Sequence, residues 1–431
     1  MRIDRLIVKN FRCFEEREFS FHPQFNCLTG ENGSGKTAIL EAVAIAAGSW
    51  LLGIKGYGER TIASNDIRIV PRKYDTVLSF ERQLKPPPEV TAFGQVMENS
   101  GTWSRKSTVK GYTTQTEARW IKKIAEQADT DVRLGKNVTL PVLVYYGADR
   151  LDSQYNTKAR LKSIEQDELS RLEGYRDSIG DSRVNSSLLI KWLEYQDRIT
   201  YQEGGRETLS YRLVREAIIA ATDSFTQMEF SAKRSEPIIH LKDGNMIPFI
   251  YLSTGQKLLV TTVGDIAMRM MRLNPHLSKM ALLETPGIVI IDELDLFLHP
   301  EWQRSIVGNL KKIFPKVQFF VTTHSPFIIQ ALGEGEHFPL DGQPVPTPGK
   351  MGIEDIAEGL MGVKRADAGR DYVDKVEAAK DYLRLLDEAE LAPEEKLEEY
   401  KRLLAEHLVP HADNPAYQAL LELERVARIG A

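Results

Sequence analysis

Alternating apolar and polar positions predict strands at the start of the chain. Ile3, Leu6, Ile7 and Val8 precede Phe11, and Phe19, Phe21 and Phe25 follow at mostly two-residue spacing, the period of a half-buried strand. Cys27-Leu28-Thr29 then runs into a glycine-rich stretch. Behind it, residues 38–47 are apolar and rich in good helix formers, the pattern of a buried helix. Residues 66–112 read as irregular strands and loops around the turn-forming run Pro86-Pro87-Pro88, and 139–146 (TLPVLVYY) read as a buried strand. From about 151 to 235 the texture is charged amphipathic helix, as in SLLIKWLEYQDRI. Strand signals return over 236–252, and a long helix is predicted over 255–273. Ile288-Val289-Ile290-Ile291 is the near-continuous β-branched run of a strand covered on both faces. Phe319-Phe320-Val321 is a second such strand, and between them lies an amphipathic helix carrying Trp302, Ile306, Leu310 and Phe314. That is a βαβ unit with a parallel sheet. Beyond 353 the chain reads as helices, with Tyr372, Val376, Tyr382 and Leu386 on one face of the first. No internal repeat is visible.

These changes of texture divide the chain into an N-terminal lobe (1–150), a helical lid insertion (151–235), a C-terminal lobe (236–350) and a helical extension (351–431). Gly174, Gly180 and Gly204-Gly205 interrupt the lid, so no sustained heptad builds long coiled-coil arms. At 431 residues, with 42% hydrophobic and 27% charged, the composition is that of a packed protein and excludes wholesale disorder. The net charge of −5 excludes a polybasic nucleic-acid coat. Any DNA contact would come from a local patch such as Arg105, Lys106 and Lys110 or Arg119, Lys122 and Lys123, clusters that read more simply as solvated charge. Cys13 and Cys27 cannot form a disulfide framework and fit a reducing compartment. The longest apolar run, 42–54, is short against the roughly 20 residues of a membrane span, and the N-terminus lacks a signal-peptide pattern. A cytoplasmic protein with no membrane partner is expected.

Chemistry enters at Gly30-Glu31-Asn32-Gly33-Ser34-Gly35-Lys36-Thr37, a match to G-x-x-x-x-G-K-[ST] between a predicted strand and a predicted helix. Glycines let the backbone wrap around phosphates with its N–H groups inward, at the positive end of the following helix. Gly30, Asn32, Gly33, Ser34 and Gly35 form that cradle. Lys36 supplies a point charge to the outer phosphates, and Thr37 offers a hydroxyl to Mg²⁺. Asp292 and Glu293 end the strand 288–291, where an acid faces the ligand crevice of an open α/β sheet. Asp292 would hold Mg²⁺, directly or through water, and Glu293 would polarise the water attacking the terminal phosphate. The plainer alternative is a pair capping the next element. Leu252-Ser253-Thr254-Gly255-Gln256 precedes the long helix; alone it is an ordinary helix cap, or an anion site made of a hydroxyl and backbone donors.

In this order, followed by Asp295 and by a histidine after the next strand, the motifs resemble an ABC-type P-loop ATPase head of the SMC, RecF and OLD group. Its fold class is α/β, with a mixed sheet, an inserted helical lid and C-terminal helices. The run Asp292–Gln303, then Phe314-Pro315, Gln318-Phe319 and Thr322-Thr323-His324-Ser325-Pro326, resembles the bacterial family described as predicted ATP-binding proteins involved in virulence. It also resembles the ATPase subunits of anti-phage systems such as Septu. Tyr145-Tyr146-Gly147 before Arg150 and Asp355–Gly359 fit the same family. The resemblance implies ATP and Mg²⁺ as cofactors, with ATP sandwiched between the phosphate loop of one subunit and the signature of another. Carried over by position, Ser253, Gly255 and Gln256 would meet the nucleotide in the partner's site. Asp295 would lie at the dimer seam, His324 would hydrogen-bond the terminal phosphate, and Arg12 would reach the nucleotide. One departure stands out: the group carries a glutamine at the end of the strand entering the lid, and here the nearest is Gln154.

The expected activity is ATP hydrolysis whose ATP-dependent homodimerisation, or higher assembly, drives a DNA-related or anti-phage process, with DNA and a nuclease or toxin effector as candidate partners. Two alternatives share parts of this pattern: the energising subunit of a membrane transporter, and a nuclease of the OLD kind. Asp371, Asp374 and Glu377 lie at the helical spacing of a solvated face rather than in a strand-borne acid cluster.

Overall fold

The computed structural model describes residues 1–74, 77–83, 85–107, 113–150, 170–180, 186–341, 348–362, 370–393, 396–408 and 415–429. Gln154 and Lys110 lie outside them. The chain divides into two compact units, Met1–Ile356 and Ala357–Ala431.

The first unit is built on a five-stranded parallel sheet. Its strands are β3 (Phe25–Thr29), β8 (Val142–Tyr146), β12 (Gly287–Ile291), β13 (Val317–Thr322) and β14 (His337–Pro339), in the order β14-β3-β13-β12-β8. Every residue of β3, β8, β12 and β13 is buried, which is why these segments read as unbroken apolar runs. Ile291 pairs with both Tyr146 and Val321, and Thr322 pairs with Leu28. The carboxyl ends of four strands therefore finish level, at one crevice.

A four-stranded antiparallel sheet, order β2-β1-β6-β7, covers the unit: β1 (Arg2–Phe11), β2 (Phe14–Ser20), β6 (Glu89–Val96) and β7 (Asn99–Lys106). Parallel and antiparallel pairing thus occupy separate sheets. The side chain of Gln318 joins them, accepting from the Ile3 N–H at 2.8 Å and donating to the Ile3 carbonyl at 2.7 Å. The region expected to be irregular, 66–112, is more regular than its sequence suggests. Besides β6 and β7 it holds the hairpin of β4 (Ile69–Tyr74) and β5 (Val77–Arg82). The inward positions of β6 are Val90, Ala92, Gly94 and Val96. Small residues make that alternation faint, and they are small for a reason: a Cβ on Gly94 would fall 2.1 Å from the Arg2 carbonyl oxygen.

The helix Lys36–Ala47 runs between the sheets and is buried on nearly all sides. With the 3₁₀ turn behind it, Lys36–Gly53 is the one described helical stretch apolar and long enough to cross a bilayer, and 83% of it lies buried inside the protein. It is longer than the apolar run read from sequence because Lys36, Thr37 and Glu41 interrupt the composition but not the helix. Within 151–235, helices Ser186–Gln202 and Leu209–Ala220 match the amphipathic pattern, while Phe225–Ser231 is strand (β9), pairing with β10 (Glu236–Leu241) and through it with β11 (Met246–Pro248). Phe225 and Met228 face inward on β9 while Thr226, Gln227 and Glu229 are exposed, so the strand's polar face resembled helical texture. Residues 151–169 and 181–185 of the expected lid fall outside the described residues. The long helix is Thr254–Leu273, and Pro300–Ile313 connects β12 to β13 as the βαβ pattern requires.

The second unit contains helices Arg370–Glu390, Leu397–Leu408 and Pro415–Ile429. Tyr382, Leu386, Leu404 and Leu421 form its small core, and the Tyr382 hydroxyl donates to the Leu421 carbonyl at 3.0 Å. The side chains of Asp371, Tyr372, Asp374, Val376 and Glu377 lie outside the description.

Candidate active site

At the carboxyl end of β3 the backbone takes positive φ at Gly33 (87°) and Gly35 (103°) before entering the helix at Lys36. These are conformations that an L side chain adopts only with strain. Space is also closed at Gly35, where a Cβ would lie 2.6 Å from Phe14 Cζ and 2.7 Å from Cys13 Sγ. Lys36 Nζ donates to the carbonyls of Gly30 (2.8 Å) and Glu31 (2.9 Å). Burial lowers the Lys36 ammonium below its ordinary pKa, with Asp292 and Asp341 opposing. The Glu31 N–H donates to the Asp341 carboxylate at 2.9 Å. Ser34 Oγ is buried with no partner among the described residues.

Opposite the loop, Thr37 Oγ1 donates to Asp292 Oδ2 at 3.0 Å, and Thr322 Oγ1 donates to Asp292 Oδ1. Thr322 also accepts the Glu293 N–H at 2.7 Å, so one hydroxyl at the end of β13 fixes both acids. Glu293 has φ 50°, a left-handed backbone costing about 1–2 kcal/mol for a non-glycine residue. Asp295 accepts from Thr323 Oγ1 (2.6 Å) and from the His324 N–H (3.2 Å). Arg12, Cys13, Asn32, Gly33, Gly35, Lys36, Thr37, Asp292, Glu293, Thr322 and His324 line one cleft of about 330 Å³. Arg12 also has positive φ (50°); its Nε donates to Asp66 at 2.8 Å, and Nη2 lies 3.7 Å from Glu41.

The signature residues lie elsewhere. Ser253 caps its helix: its Oγ accepts from the Gln256 N–H at 3.2 Å, and Gln256 Oε1 accepts from the Ser253 N–H at 2.9 Å. Both line a second cleft with Phe297, Leu298, His299 and Trp302, about 860 Å³. That cleft shares no residue with the first. Gly255 is buried, and a Cβ on it would fall 2.0 Å from the Phe297 carbonyl oxygen. The structure therefore brings together the phosphate loop, Arg12, Asp292, Glu293 and His324. Asp295 sits behind His324, and Ser253, Gly255 and Gln256 stand apart.

Several participants carry little sequence signal. Thr322 could be found only as the residue ending an apolar strand, and Cys13, Glu41 and Asp66 only once Arg12 is placed. Arg105, offered by sequence as part of a basic patch, is buried: its Nε donates to the Thr114 carbonyl at 2.9 Å and Glu59 lies 3.6 Å away. Lys106 pairs with Glu89 at 3.2 Å.

The residues fit a nucleotide with its magnesium ion. Gly35 faces Phe14 and Cys13 so closely that it admits no side chain, and the orphaned Ser34 hydroxyl awaits an acceptor. Thr37 and Asp292 offer hard oxygen ligands of the kind Mg²⁺ takes alongside substrate phosphates. This arrangement defines a P-loop nucleotide-binding head. Family profiles agree: one described as an AAA domain matches residues 5–213, and an AAA-domain profile whose description names a Type IV TA system matches 275–330. The chain is 24% identical over 377 residues to the retron Vc95 probable ATPase of Vibrio cholerae, covering 76% of this chain and 71% of that one. It is 34% identical over 123 residues to the Septu protein PtuA of Bacillus thuringiensis, covering 27% of this chain and 31% of that one. To the DNA replication and repair protein RecF of Haemophilus influenzae it is 35% identical over 104 residues, covering 24% and 23%. The match thus spans most of the retron protein but less than a third of the other two. Retron ATPases, the Septu protein PtuA and RecF are therefore among the chain's relatives.

Proposed function

We propose that the chain binds ATP with Mg²⁺, pairs head to head on ATP, and hydrolyses it to reset, driving a DNA-related or anti-phage process through a separate effector. The observation that carries this reading is the separation of the two clefts. The phosphate cradle and the signature cap lie on one chain with no residue in common, while Ser253 is exposed, so a second copy can bring its own Ser253 to the open side of the cradle. The retron and Septu relatives support the defence version, and RecF supports a DNA-related one.

In this reading Lys36 leaves the Gly30 and Glu31 carbonyls for the outer phosphates, and the loop N–H groups complete the anion cradle. Thr37 and Asp292 would hold Mg²⁺, which would supply positive charge against the phosphates. Glu293, held by Thr322, orients the attacking water. His324 contacts the terminal phosphate and, through Asp295, couples its presence to the dimer seam; Arg12 contacts the nucleotide after exchanging its Asp66 and Glu41 partners. The bound terminal phosphate supplies the difference in contacts between paired and open states.

Solution mass and ATP turnover test the reading together. With ATP and Mg²⁺, Glu293→Gln should accumulate as a dimer and turn over slowly. A Glu293→Gln protein that stays monomeric, or that hydrolyses ATP at the wild-type rate, removes the paired-site reading. DNA cleavage by the isolated chain would instead favour a nuclease, and ATPase activity only in a membrane fraction would favour a transporter subunit.

A further inference from the structure

The strand that lacks a terminal glutamine ends in a different device. Arg150, four residues beyond β8, is 2% exposed, although arginine is almost never fully buried unless paired. No described carboxylate pairs with it directly. Its guanidinium instead donates to three backbone carbonyls: Nη1 to Gly147 (3.0 Å) and Asp292, and Nη2 to Glu293 (2.9 Å). Nε has no hydrogen-bond partner among the described residues. Burial pulls its pKa down to about 10, with Asp292, Glu293 and Asp295 opposing, so it stays charged at neutral pH. A buried cation without a bonded anion is costly, and a packing role alone would be served by an apolar side chain.

What the guanidinium grips is the pair of peptide groups that set the direction of the two acids. Asp292 is already tied on its N–H side, which donates to the Tyr146 carbonyl at 2.8 Å. Arg150 ties it on the carbonyl side, from the same strand end. Glu293 is the left-handed residue, and its carbonyl is the third acceptor. We propose that Arg150 is a positioning residue for Glu293. Its planar fork holds the strained Glu293 backbone, and so aims the carboxylate at the cleft, from just beyond the end of β8. The fork geometry matters as much as the charge, because two carbonyls of successive residues are held by adjacent nitrogens of one rigid group.

This inference rests on the ATP hydrolysis proposed above. The test compares Arg150→Lys and Arg150→Met, alone and combined with Glu293→Gln, by turnover, nucleotide affinity with a fluorescent ATP analogue, and thermal unfolding. Turnover should fall about tenfold in the lysine variant and a hundredfold in the methionine variant, with nucleotide affinity within about threefold of wild type. Adding either Arg150 change to Glu293→Gln should cost little more, since a residue acting through Glu293 has nothing left to position. Should the methionine variant not fold, the lysine variant carries the same comparison. Turnover within twofold of wild type in the folded variants overturns the inference, as does a loss of turnover matched by equal loss of nucleotide affinity, or full additivity with Glu293→Gln. A wild-type chain that does not hydrolyse ATP sinks the functional reading itself; wild-type turnover with undiminished Arg150 variants sinks only the positioning role.

Discussion

Gly255→Ala concentrates the two-cleft argument in a single methyl group. Gly255 follows the first residue of the helix Thr254–Leu273, where alanine would ordinarily be welcome and worth about 1 kcal/mol. Here the new Cβ would lie 2.0 Å from the Phe297 carbonyl oxygen, 2.6 Å from its carbon and 3.3 Å from the Leu298 nitrogen. Ordinary carbon–oxygen contacts sit at about 3.3–3.6 Å, so backbone must move by more than an ångström on one side. Overpacking of this kind costs about 1–3 kcal/mol, leaving a net loss of up to about 2 kcal/mol after the helix gain. The moving side is the short turn 294–298, held by single bonds such as Leu298 N–H to the Asp295 carbonyl at 3.0 Å. Its displacement drags Asp295 from Thr323 and His324. Gly308, inside the helix Pro300–Ile313 with nothing within 4 Å of its would-be Cβ, supplies the control: Gly308→Ala should stabilise by about 0.5–1 kcal/mol. Urea unfolding midpoints should shift in opposite directions for the two variants, with ATP turnover and ATP-driven pairing lost only at Gly255. A Gly255→Ala protein as stable and active as wild type would refute the close approach and the coupling drawn from it.

Two further expectations use the same structure. Ser253→Arg removes one helix cap, worth about 1 kcal/mol, and should leave nucleotide binding by the monomer intact while abolishing pairing on ATP; sedimentation with a fluorescent nucleotide reads both at once. His337 is buried against Thr29, its Nε2 2.8 Å from the hydroxyl, and burial takes its pKa from 6.5 down to about 4. Between those values the unfolded chain binds the proton and the folded one does not, so stability falls as pH drops from 6.5 towards 4, by up to about 3 kcal/mol. Denaturation of His337→Gln across that window should have a flatter profile; equal slopes would remove His337 as the cause.

Much of the site was legible because its chemistry demands fixed residues at fixed spacing. Gly30–Thr37 and Asp292-Glu293 sit on short connections at strand ends, and the strands feeding them are apolar enough to read as central. What escaped depends on three-dimensional approach. In sequence Arg150 figures only as part of a family resemblance, with no role attached; its burial and its three carbonyl partners are what give it one. Gly255 looks like a helix-start glycine until Phe297 is set against it. The antiparallel cover escaped because Ala92 and Gly94, too small to signal a strand, are what its close packing against β1 requires. The Ser253 cap was legible as a cap; that it stands apart from the phosphate loop on its own chain was not.

The phosphate-loop helix has a consequence for how the chain is made. Lys36–Gly53 is apolar over most of its surface, yet the β6–β7 strands and the β13 strand that pack on it arrive roughly 40 to 280 residues later in synthesis. A nascent or truncated chain ending before β12 and β13 leaves the side of this helix that packs on them uncovered, the condition under which folding intermediates aggregate or recruit chaperones. Fragments designed to isolate the N-terminal lobe inherit that liability, and co-expressing the missing C-terminal strands is the direct remedy.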